Sequence, residues 1–216
     1  MKYINYIFIF LTLHSCNPNY NSKSERPILH DTVLTDIPNS RRNSESRKIK
    51  SKIESLAALE DIEKGYKDSA IRLWFTNSSN IEALFILTKK DGRWQGEFQK
   101  LDFVYSSDID KSSIAKEDTL TSIKKMVKSL SPKSGWAVLM DSLDRLGLFI
   151  LPDMELLKDY GLGTDGRWVT VEIATSEKYR IYSYQEPFSH ANRFREAASM
   201  EKIGTLIENE FNYKRR

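Results

Sequence analysis

Four carboxylates crowd one stretch of the chain, LPDMELLKDYGLGTDGRW at residues 151–168. Asp153, Glu155, Asp159 and Asp165 are the residue types that general acid–base hydrolysis requires, one group protonated and one ionised. The stretch closes on Asp165-Gly166-Arg167-Trp168, which echoes Asp91-Gly92-Arg93-Trp94 earlier in the chain. Two equivalent sites would account for the echo. Two turns, each followed by a tryptophan that packs into a sheet, account for it more simply. Other catalytic chemistry is thinner. Apart from His14 near the start, the histidines are His30 and His190. Neither is placed by spacing to orient a serine nucleophile. No Cys/His set has zinc spacing, and the 9 glycines are scattered rather than grouped into a phosphate cradle. The expectation is no metal site and no cofactor.

A second constellation suits recognition better than reaction. In WVTVEIATSEKYRIYSYQEP, residues 168–187, side chains alternate across a strand with a period of two. If a three- or five-residue loop joins the two strands, Trp168, Glu172, Arg180, Tyr182 and Tyr184 share one face, with Glu172 and Arg180 paired across it. Such a face binds sugar or peptide through flat amphipathic rings. Alternatively helices cover it and the tyrosine hydroxyls reach the rim.

Periodicity assigns the surrounding helices and strands. KIESLAALEDIEKGY, residues 52–66, has helical spacing and a glycine stop. SAIRLWF, residues 69–75, reads as a strand. IEALFILTKKDGRWQGEF, residues 81–98, is a hairpin turning at Asp91-Gly92, which puts Lys89 opposite Trp94 and Phe85 opposite Phe98. Beyond it the apolar positions change parity to Leu101, Phe103 and Tyr105, which predicts a bulge near Gln99-Lys100. Residues 117–130 have helical spacing that ends before Pro132. A further helix spans 133–147, a buried extended crossing follows at 148–157, and a long helix closes the chain at 189–213. The fold class expected is α+β: a twisted antiparallel sheet built from a three- to four-stranded meander and a second hairpin, with helices packed mainly on one face.

The start of the chain carries an address. Lys2 precedes an apolar run from Tyr3 to Leu13, about half the roughly 20 residues of a membrane-spanning helix. A basic start, a short apolar run and small residues are the marks of a secretory signal peptide. The run ends at Leu13-His14-Ser15-Cys16, and Cys16 is the single cysteine. Leu13-His14-Ser15-Cys16 resembles the lipobox of bacterial lipoproteins, and the resemblance covers residues 1–16. It implies cleavage before Cys16, acylation of that cysteine and anchorage in the cell envelope, facing the periplasm, most simply in the outer membrane. A cysteine bearing two or three acyl chains is a stable anchor, at about 0.8 kcal/mol per buried methylene. A lone cysteine forms no internal disulfide, so the fold stands on its core.

The organisation expected is a signal peptide at 1–15, a lipidated cysteine and flexible basic tether at 16–50, one α+β domain at 51–213 and a basic tail at 214–216. The tether is rich in Asn, Ser, Lys, Arg and Pro, too polar to bury a core; residues 28–37 alternate weakly and suit an extended strap. Arg41, Arg42, Arg47, Lys48, Lys50 and Lys52 form a basic cluster opposed only by Glu45. They read as solvated linker cations, or as a contact for anionic head groups. A net charge of +3 argues for no nucleic-acid partner. The function expected is a lipid-anchored envelope protein that binds an envelope protein or cell-wall component without catalysis. A hydrolase using the loop carboxylates, or an inhibitor or immunity-type partner of a secreted enzyme, are the alternatives.

Overall fold

The computed structural model describes residues 34–42, 44–77, 81–106, 120–161, 163 and 166–214. Among the described residues the strands are β1 (Leu34–Asp36), β2 (Ser69–Thr76), β3 (Ile81–Lys90), β4 (Arg93–Tyr105), β5 (Leu120–Leu130), β6 (Trp168–Thr175) and β7 (Lys178–Gln185). The helices are α1 (Asn39–Arg42), α2 (Ser44–Leu56), α3 (Trp136–Arg145), α4 (Pro187–His190) and α5 (Arg195–Phe211). Asp91 and Gly92 turn the β3–β4 hairpin with φ of 49° and 77°. Phe85 pairs with Phe98 and Lys89 with Trp94, as alternation predicts.

The class is α+β, but the sheet differs from the expected one. All seven strands form one sheet in the order β1-β7-β6-β2-β3-β4-β5. The meander and the second hairpin are fused, because β2 pairs antiparallel with β6 along its full length. The sheet is also mixed: β1 runs parallel to β7, with Leu34, Thr35 and Asp36 beside Lys178, Tyr179 and Arg180. A further correction concerns residues 120–130, which form a strand and not a helix. Their spacing of three to four is coincidental on an edge strand where Leu120 alone is buried, so no alternation is enforced.

Helices cover both faces, not mainly one. On the first face Ile71, Leu73, Phe85, Leu87 and Val171 meet Leu139 and Leu143 of α3 and Met200, Ile203 and Ile207 of α5. Each side chain withdrawn from water this completely contributes roughly 1.5–3 kcal/mol. Phe85 is the aromatic centre, with ring centroids 5.3 Å from Phe98, 5.8 Å from Phe211 and 5.3 Å from Tyr213. On the second face Ile53 and Ala57, at the end of α2, cover Trp74, Leu84 and Leu101, while Ile62 and Tyr66 cover Ala70, Ala174 and Tyr179.

This two-sided covering explains the parity change in β4 without a bulge at Gln99-Lys100. Registry with β5 continues unbroken through those residues, registry with β3 runs without a shift up to Gln99, and the irregularity lies at Val104/Tyr105. The first half of β4 buries Trp94 and Phe98 on the first face; the second half turns Leu101 and Phe103 to the second. What changes along β4 is which face is covered.

The segment at 148–157 closes the outer edge of β7. Its carbonyls find side-chain donors instead of a strand: Tyr182 donates to Leu148 O at 2.5 Å, Arg180 to Phe149 O at 2.5 Å and Leu151 O at 2.6 Å, and Tyr184 to Pro152 O at 2.6 Å. Buried carbonyls left without such donors would be costly. Among the described residues, no helix is long and apolar enough to cross a membrane.

Candidate functional site

Strands β2 and β6 are mostly apolar and each carries a single charge near its middle, Arg72 in SAIRLWFT and Glu172 in WVTVEIAT. The register sets them directly side by side on the second face. A charge in a buried strand needs partners, because an isolated one is strongly destabilising. Glu172 is 0% exposed and has several. Trp74 Nε1 donates to its Oε2 at 2.6 Å and Tyr179 OH to its Oε1 at 2.7 Å. Lys50 Nζ lies 3.0 Å from Oε1 and Arg72 Nη1 3.9 Å from Oε2.

Helix α2 supplies the rest. Arg47, Lys50 and Glu54, spaced i, i+3, i+7, fall on one helix face. Lys50 reaches Glu54 at 2.9 Å and Glu63 at 3.3 Å; Arg72 reaches Glu54 at 2.7 Å and the Glu60 carbonyl; Arg47 reaches Glu63 at 2.6 Å. Three cations and three carboxylates therefore alternate from the helix surface down to the sheet. Burial alone would raise the Glu172 carboxyl, but Lys50 and Arg72, with the Tyr179 and Trp74 hydrogen bonds, hold it below the ordinary range. Burial acts to lower the Lys50 ammonium, and Glu172 and Glu54 outweigh it, so Lys50 is raised. Glu54 is raised by burial and by the nearby charge of Glu172. Burial and Glu172 push the Tyr179 phenol far up. At neutral pH the arrangement holds Glu172 ionised and Lys50 and Tyr179 protonated. It is an electrostatic frame rather than a poised proton-transfer pair.

Beside this frame lies a cavity of about 320 Å³. Ile37, Ile49, Ile53, Trp74, Ile81 and Ile181 form its apolar walls, and Arg47, Lys50, Glu63, Thr76 and Thr170 its polar ones. Larger grooves of about 820 and 530 Å³ run along the outer side of α2 and beside β3–β5, with mixed polar and apolar walls. The 320 Å³ cavity has the volume and the apolar lining with few converging polar groups that small-molecule sites show.

The structure separates the five residues expected on one face. A two-residue loop, Ser176-Glu177, joins β6 to β7, so Glu172 lies opposite Ile181 and Arg180 opposite Ile173. The assumed odd-numbered loop is corrected by one residue, and a one-residue slip moves every side chain to the other face. Glu172 belongs to the frame on the second face. Arg180, Tyr182 and Tyr184 lie buried on the first, engaged with the 148–152 carbonyls. Trp168 is half-buried against the first-face core, as is Trp94, which makes the Gly-Arg-Trp echo a packing device.

Among the described residues, the loop carboxylates differ in setting. Asp153 is buried and accepts Ser183 N–H at 2.7 Å and Glu155 N–H at 2.8 Å, a structural cap on the β7 edge. Glu155 and Asp159 are exposed. Asp165 and Cys16 lie outside the described residues, as do the apolar run, His30 and most of the tether. The His190 ring lies 4.3 Å, centroid to centroid, from that of Tyr160, a residue of the first-face core and so across the sheet from the frame. Helix α2 crosses the boundary drawn between residues 50 and 51, and Arg47 and Lys50 are partners of Glu63 and Glu172 rather than solvated linker cations. The missed residues had a signal: Arg72 and Glu172 each interrupt an apolar strand, and an interrupted strand implies a buried counter-charge. No family model matches the chain, no curated protein matches it and no solved structure matches its fold, so the functional reading rests on this geometry.

Proposed function

We propose that the protein is a lipid-anchored component of the bacterial cell envelope whose α+β domain binds a small molecule and does not transform it. The anchor reading is supported by Leu13-His14-Ser15-Cys16 at the foot of the apolar run. In this reading Cys16 carries the acyl chains, the domain faces the periplasm on the outer membrane, and residues 17–33 link the two. The observation that carries the binding reading is the 320 Å³ cavity walled by Trp74 and five isoleucines. It stands beside a charge network that keeps the sheet beneath it fixed.

Two experiments test the two halves. Metabolic labelling with a palmitate analogue is expected to mark the wild type and not Cys16→Ser; equal labelling of both would defeat the anchor. For binding, the probe is 1-anilinonaphthalene-8-sulfonate, with its emission measured on the folded protein. Ile49 is 40% exposed and lines the cavity from α2, so Ile49→Trp narrows it without disturbing the buried core. Saturable probe binding that weakens at least tenfold in Ile49→Trp supports the cavity. Probe binding unchanged by the substitution, at unchanged melting temperature, overturns it.

A further inference from the structure

The polar wall of the cavity specifies more than size. We infer that it takes an amphipathic anion, an apolar body bearing one carboxylate-like head, and that Arg47 reads the head. This rests on the cavity being the binding site. Among the described residues, the charged groups lining it are Arg47, Lys50 and Glu63, a net of one positive charge.

These three are not equivalent. Lys50 is surrounded by Glu54, Glu63 and Glu172 at 2.9, 3.3 and 3.0 Å. Its three protons are therefore matched by three carboxylates. Glu63 is likewise engaged at both oxygens, Oε2 on Arg47 and Oε1 on Lys50. A carboxylate held by two cations no longer repels an anion at close range. Arg47 differs. Its Nη2 meets Glu63 at 2.6 Å, and its side chain is 50% exposed. A guanidinium has five N–H donors in a planar fork that matches a carboxylate with two parallel bonds. Arg47 thus has donor capacity at the mouth, with the ammonium of Lys50 one helical turn behind it.

The opposite end of the cavity has the complementary character. Ile37, Ile53, Trp74, Ile81 and Ile181 offer aliphatic and indole surface. A ligand with its head at Arg47 places its body against this surface. A neutral apolar molecule would leave Arg47 unused, and a small inorganic anion would leave the apolar wall in water.

The test uses the full mature protein and two matched probes, decanoate and decanol. They share a body and differ in the head. A hydrogen bond to a charged group is strong where water is excluded and is worth only about 3- to 10-fold in affinity at a half-exposed site. Decanoate is therefore expected to bind about 3- to 10-fold tighter than decanol by calorimetry. Arg47→Gln is expected to remove that difference while leaving the affinity for decanol unchanged and lowering the melting temperature by no more than about 2–4 °C, the worth of its half-exposed pair with Glu63, and Arg47→Lys to restore part of it. The preference should also weaken in high salt, because the mouth is open to solvent.

Equal affinity for the two probes overturns the inference and leaves the cavity reading standing. Binding of neither overturns both. If Arg47→Gln abolishes decanol binding as well, or lowers the melting temperature sharply, Arg47 is a structural partner of Glu63 and head-group recognition by it is refuted.

Discussion

Glu172→Gln is the substitution that tests the charge frame most directly. The change keeps the volume and removes the charge from a site that is wholly buried. Trp74 Nε1 and Tyr179 OH donate to different oxygens of the carboxylate, at 2.6 and 2.7 Å. An amide has one acceptor oxygen and one NH2. The indole cannot accept a hydrogen bond, so the carbonyl must turn to Trp74. The NH2 then replaces the oxygen that lies 3.0 Å from the Lys50 ammonium, donor against donor. Removing one member of a buried ion pair typically costs about 3–5 kcal/mol. At about 2–4 °C per kcal/mol for a domain of this size, the melting temperature should fall by roughly 6–20 °C. Denaturant unfolding followed by tryptophan emission should show the midpoint shift with an unchanged slope, as expected when stability alone changes. Adding Lys50→Met should cost less than the sum of the two single changes, because the unmatched ammonium is gone. A fall of less than about 2 °C in Glu172→Gln would mean that the carboxylate is neither desolvated nor committed to its donors.

Three further outcomes are expected. Tyr182→Ala removes a fully buried ring and the donor to Leu148 O, and should cost about 3–5 kcal/mol in a thermal melt. A Cβ on Gly96 would lie 2.7 Å from Trp136 Cη2 and 3.2 Å from Leu87 Cδ2, so Gly96→Val should destabilise by about 1–3 kcal/mol despite the strand preference of valine. The pH profile of stability has two signs to check. Glu172 is held below the ordinary carboxylate value of 4.5, so its contribution is present above that value and lost as pH falls through the lower folded one; Glu172→Gln should flatten this acid limb. Lys50 is raised above 10.5, so its contribution is present below that value and lost as pH rises through the higher folded one; Lys50→Met should flatten the alkaline limb.

The hairpins were legible because their signals are local. Asp91-Gly92 accepts positive φ at both turn positions, and the pairing of Phe85 with Phe98 follows from it. The β6–β7 turn has no such marker. Thr175 Oγ1 accepts Lys178 N–H at 3.1 Å, a cap that Ser176-Glu177 does not announce, and loop length is ambiguous by one residue without it. That single residue moved Arg180, Tyr182 and Tyr184 from a proposed surface into the core. Strand β5 was hidden for a different reason: an edge strand with Met126 57% and Val127 44% exposed has no buried face to impose a period of two. The frame was hidden because its members lie far apart in sequence. Lys50 and Glu172 are 122 residues apart, by subtraction of their positions, and no local pattern links them. Helix α3 and the body of the closing helix were legible because each packs a single apolar stripe against one sheet, whereas the expected start at 189 falls in the separate α4 and the long helix begins only at Arg195.

The three-residue pairing of β1 with β7 has a mechanical consequence. It is parallel and far shorter than the antiparallel ladders that bind the other strands. Leu34 is the first described residue, so within the described chain a pull from the proposed lipid tether reaches this pair first. Its reinforcements are slight: Asp36 stands 3.7 Å from Arg180 with its side chain 62% exposed, and Arg42 Nε holds the Ile37 carbonyl at 2.6 Å. An exposed ion pair adds at most about 1 kcal/mol. Under tension β1 yields before any strand of the antiparallel core, and Ile37 leaves the cavity wall with it. Under the proposed anchorage the attachment point would work as a fuse, in which membrane drag opens one side of the cavity while β2 to β7 and the charge frame stay loaded only through α2.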